Sequence, residues 1–96
     1  MATYKHMLSR QQVADAIQYL ELWLVKNTRD PKTGLYLIKD TSYSLERIYR
    51  EERSPGCMEI YENENRVAWI NLEDNGTFTG GGENVELFIK VSEMLD

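Results

Sequence analysis

Residues 9–27 carry the clearest periodic pattern in the chain. Val13, Ile17, Leu20 and Leu24 are spaced four, three and four apart, which places them on one stripe of an α-helix. Ala16 and Trp23 widen that stripe, and Tyr19 lies at its edge. Ser9 with Gln12 forms a capping-box pattern, and Leu8 with Val13 a hydrophobic staple, so the helix is predicted to start at Ser9. Asp15, Gln18 and Lys26 fall on the opposite, polar face. Leu22 falls among them, with Val25 about 60° further round at 100° per residue. These two residues make an apolar patch on a face otherwise built for water, and so a candidate contact surface.

Asp30-Pro31-Lys32-Thr33-Gly34 combines a side-chain acceptor, a fixed φ angle and a glycine, the chemistry of a turn. Leu35 to Lys39 then reads as a short strand. Residues 42–53 fit two periods. Leu45, Ile48 and Tyr49 make a helical stripe, supported by Glu46 and Arg50 at four-residue spacing. Tyr43, Leu45 and Tyr49 also fit the period of a strand. Helix is the expectation, given the richness in helix formers. Ser54-Pro55-Gly56 closes the segment.

A β-hairpin is predicted over residues 57–72. Met58 and Ile60 alternate with Glu59 and Tyr61, Asn63-Glu64-Asn65 forms the loop, and Arg66–Leu72 is the returning strand. The run Val67-Ala68-Trp69-Ile70 is apolar on both faces, as in a strand covered on both sides. Asn75-Gly76 signals a second tight turn, followed by a strand from Thr77 to Thr79. Gly80-Gly81-Gly82 breaks the chain before a last helix over 85–95, with Asn84 as its cap and Val85, Phe88, Ile89 and Leu95 facing inward. The expected fold is α+β: a small antiparallel sheet, hairpin 57–72 plus neighbouring strands, packed against an N-terminal and a C-terminal helix. Ninety-six residues suffice for a single domain spanning 1–96.

Charge changes the picture more than composition does. The net charge is −5, but residues 1–53 carry nine Lys/Arg against seven Asp/Glu, while residues 54–96 carry two against nine. The acidic balance argues against direct nucleic-acid binding and serves solubility first, while either half could meet an oppositely charged partner, a protein with a basic surface in the case of the acidic half. A basic and aromatic group, Lys39, Arg47, Arg50 and Arg53 with Tyr36, Tyr43 and Tyr49, is offset by Glu46, Glu51 and Glu52. Six tyrosines suit an interface, where a large ring with a polar tip is ordered at low entropic cost.

Candidate chemistry adds little. One cysteine, Cys57, and one histidine, His6, fall short of a zinc site and give no intrachain disulfide. The calcium-loop match beginning at Asn71 has Gly82 where a bidentate Glu is required. Thr79-Gly80-Gly81-Gly82 is followed by Glu83 and Asn84 rather than the Lys and Ser/Thr of a phosphate loop. Nothing in the chain places Cys57 beside His6 as nucleophile and base. No metal, cofactor or catalytic residue is therefore expected, and no membrane span or secretion signal is read. A reducing, cytoplasmic setting is the expectation. The function expected is a small acidic protein-binding module of inhibitor, immunity or adaptor type. Its contact residues would be Leu22, Val25, Glu59, Glu62, Glu64, Glu73 and Asp74. The alternatives are a homo-oligomeric structural protein, with a homodimer the simplest form, or an enzyme of unrecognised type.

Overall fold

The amphipathic stripe near the N-terminus folds as predicted into α1, Arg10–Val25, and buries Val13, Ala16, Ile17, Leu20 and Leu24. A computed structural model describes residues 10–49, 56–72, 78–79 and 84–95. The capping box at Ser9 and the staple at Leu8 lie outside the described residues, as do the turns at Ser54-Pro55 and Asn75-Gly76 and the triple glycine. At its other end α1 tightens into a last turn, with the Lys26 amide donating to the Trp23 carbonyl at 3.0 Å. The Asn27 side chain donates to that same carbonyl at 2.7 Å, satisfying an acceptor the helix end leaves open.

Asp30 organises the following turn. Its Oδ2 accepts from the amides of Lys32 (3.2 Å) and Thr33 (3.0 Å) and from the Thr33 hydroxyl (3.1 Å). Gly34 completes the turn at φ +77°, a conformation glycine adopts without steric cost. The strand expected over 35–39 is reduced to β1, Tyr36–Leu37.

Residues 43–48 form a strand, β2, Tyr43–Ile48, and not the expected helix. The reason is tertiary. A tight turn at Ile38–Ser42 reverses the chain, and Leu45 lies between Tyr36 on one side and Ile60 on the other. The strand's alternation is Tyr43, Leu45 and Arg47 inward. An arginine in the third inward place hides the period-two pattern, because its apolar stem is buried while its charge is met by Glu21 of α1. Glu46, expected to pair with Arg50 along a helix, instead forms an ion pair with Arg29. Arg29 also donates to the carbonyls of Gly34 and Arg47, and so covers part of the free edge of β2. The glutamate beside it raises the Arg29 pKa through a hydrogen bond.

The predicted hairpin forms from β3, Cys57–Glu62, and β4, Asn65–Leu72. Its turn has two residues rather than three: Asn63 and Glu64 sit at φ 52° and 71°, the backbone of a type I′ turn, and Asn65 belongs to β4. The register shifts between Ile60 and Tyr61, leaving Val67 as an extra residue on β4. A two-residue β5, Phe78–Thr79, completes a five-stranded antiparallel meander in the order β1-β2-β3-β4-β5. The last helix, α2, spans Glu86–Ser92 and is shorter than expected. Asn84 does not cap it. At φ 60°, its side-chain amide donates instead to the carbonyl of the bulged Val67 at 3.1 Å.

α1 and α2 pack on each other and on one face of the sheet, whose Leu45, Met58, Ile60, Ala68 and Ile70 are almost wholly buried with Leu20, Phe88 and Val91. The expected α+β architecture is the observed one.

Candidate partner-binding surfaces

The residues singled out from sequence fall on three separate parts of the molecule. The first is the tip of the β3–β4 hairpin, which carries Glu62 and Glu64. Glu64 is exposed and Glu62 half-buried. The Asn63 amide donates to the Ser42 carbonyl at 3.0 Å and ties the tip to the β1–β2 turn. Between this tip and the Asp30 turn lies an open groove of about 560 Å³, lined by Asp30, Lys32, Thr33, Leu35, Tyr61 and Glu64. Both walls are fixed by backbone hydrogen bonds, so the groove does not have to be ordered by a partner. Glu73 and Asp74 lie outside the described residues.

The second part is the sheet face turned away from the helices. Cross-strand pairing sets Glu59 beside Glu46 and Trp69 there. Glu59 does alternate with Met58 and Ile60 as expected, yet it is only 5% exposed. Its two oxygens are occupied from within the chain: the Tyr61 hydroxyl donates to Oε1 at 2.8 Å and Arg66 Nη1 to Oε2 at 2.9 Å. The Arg66 guanidinium also lies 5.8 Å from the centre of the Trp69 ring. Glu59 thus anchors Tyr61 and Arg66, and its carboxylate does not face outward like that of Glu64. The sequence pattern could place Glu59 on a face, but not show that neighbouring side chains close over it.

Desolvation, and then the hydrogen bond to Glu59, pushes the Tyr61 hydroxyl up to about 12 from its ordinary 10.0. An ultraviolet pH titration should therefore show a tyrosine hydroxyl that ionises near pH 12 rather than 10. The sign follows from linkage. The folded chain holds this proton more tightly than the unfolded chain, so the associated stability is full below pH 10 and is lost as pH rises toward 12. Replacing Glu59 by Ala, which removes the acceptor and its charge, should lower this late ionisation in part, leaving the part that desolvation causes.

The third part is the outer side of α1. Leu22 is 58% and Val25 82% exposed, as their positions on the helical wheel require. Tyr19, 46% exposed, joins Leu22 and Val25 at three-residue intervals. Its place at the stripe's edge was legible in the sequence. Its membership of the outer row was not drawn from the pattern, although the spacing carries it.

The remaining candidates separate. Arg47, proposed for a basic and aromatic surface, is buried against Glu21 with the Tyr49 ring 4.2 Å from its guanidinium, and so is turned away from any phosphate. Cys57 is buried at the start of β3, and His6 lies outside the described residues. Among the described residues no three His, Cys, Asp or Glu side chains are grouped to hold a metal ion. No described helix is long and apolar enough to cross a membrane. Asp30, Lys32, Thr33 and Leu35 are the groove residues that sequence reasoning missed. The turn they form was legible, but its approach to a hairpin tip some 30 residues away is a product of the fold. Comparison with protein-family models, with curated proteins and with solved structures found no match.

Proposed function

We propose that the protein is a small non-catalytic binding module that acts by occupying the surface of another protein, with the acidic hairpin tip as the contact. The observation that carries this reading is the pre-formed groove between two rigid turns, with the exposed Glu64 on one wall and Glu62 beside it. An exposed carboxylate held on a stiff support recognises a basic side chain with little ordering cost. Tyr61 and Leu35 supply apolar surface for the stem of an arginine or lysine. The partner in this reading is a protein with a basic surface, in keeping with nine acidic and two basic residues over 54–96.

The test is a tagged pull-down from the source cells, comparing the native chain with the Glu62→Lys/Glu64→Lys double variant at low and high salt. A stoichiometric partner retained by the native chain should be lost by the variant and weakened by salt, because surface charge attraction is screened. Equal retention by both chains would remove the hairpin tip from the interface.

A further inference from the structure

We infer that the outer side of α1 is a self-association surface, on which a second copy of this chain packs its own α1 antiparallel. Asp15, Tyr19, Leu22 and Lys26 are all exposed and follow one another at intervals of four, three and four. They fall within about 60° of the helical wheel, so they form one narrow seam with the spacing of a coiled-coil contact. Glu21 and Leu20, the residues between them, are engaged inward, the first with Arg47 and the second in the core.

The order of charge along the seam selects the occupant. An acid stands at one end, a base at the other, and two apolar side chains lie between. The midpoint between Asp15 and Lys26 is also the midpoint between Tyr19 and Leu22. A two-fold axis through that point therefore makes the seam complementary to itself. Asp15 meets the partner's Lys26, Tyr19 meets the partner's Leu22, and each contact occurs twice, as an isologous interface requires. A parallel pairing would instead set Asp15 against Asp15 and Lys26 against Lys26. Val25 lies on the flank of the same seam. No residue of the hairpin-tip groove takes part, so this inference stands apart from the proposed partner contact.

Sedimentation equilibrium over a range of protein concentrations provides the test. The native chain should show a concentration-dependent monomer–dimer equilibrium. Leu22→Glu should weaken association at least about tenfold, with circular dichroism confirming the native fold, since Leu22 is 58% exposed. Asp15→Lys and Lys26→Asp should each weaken it, and the double exchange should restore it, because the exchanged charges again meet their opposites across the two-fold axis. A native chain that stays monomeric would overturn the inference. So would a dimer indifferent to Leu22→Glu, or a double exchange no better than the single changes.

Discussion

Phe88→Ala should lower the thermal midpoint by at least about 12 °C. Phe88 heads the wholly buried side chains by volume, and it enters the core from α2, a helix of only seven residues. So short a helix has no independent stability and is held by what it buries. Removing a buried phenyl ring costs about 3–5 kcal/mol through lost transfer energy and the cavity left behind. Domains of this size are stable by about 5–15 kcal/mol, and each kcal/mol moves the midpoint by about 4–8 °C. Circular dichroism melting measures the shift, and Phe88→Leu should lose less than half as much. A shift below about 5 °C would mean that the core does not close on Phe88.

Phe88 could be placed from sequence because its burial follows from helical spacing with Val85 and Ile89. The same holds for Val13, Ile17, Leu20 and Leu24, and for Met58 and Ile60 in β3, all of which are buried as their periods demand. Where a position's role depends on a neighbour distant in sequence, the pattern fell short. Arg47 spoiled the period of β2 because its partner, Glu21, lies 26 residues earlier on α1. Asn84 had the composition of a helix cap, but its amide is drawn to the carbonyl exposed by the bulge at Val67. Glu59 had the alternation of an outward residue, yet it is buried, with its carboxylate bonded by Tyr61 of its own strand and Arg66 of β4. The partner surfaces divide in the same way. Leu22 and Val25 were visible as misfits on a polar helix face, whereas the groove beside Glu64 exists only once the hairpin tip meets the Asp30 turn.

Gly56→Ala should be the most damaging single-methyl addition among the described glycines, and its size separates two effects that glycine substitutions usually mix. Gly56 sits at φ +95° just before β3, and its carbonyl accepts the Leu72 amide at 2.9 Å. A methyl group there would lie 1.8 Å from the Ile48 carbonyl oxygen and 3.1 Å from Arg47 Nη1. The carbonyl is backbone at the end of β2, so relief requires parting the Ile48–Cys57 register and disturbing the 2.8 Å bond from Arg47 to Ile48. Left-handed strain and overpacking together should cost about 2–5 kcal/mol. Gly34 supplies the control. It too has a positive φ, +77°, but a methyl group there meets nothing within 4 Å. Gly34→Ala should therefore cost only the conformational part, about 1–2 kcal/mol. Urea denaturation of both variants measures the difference, which isolates the close approach of Gly56 to β2. Equal losses at the two positions would mean that the end of β2 yields freely, and that the junction between β2 and β3 is held by strand pairing rather than by the tight fit around Gly56.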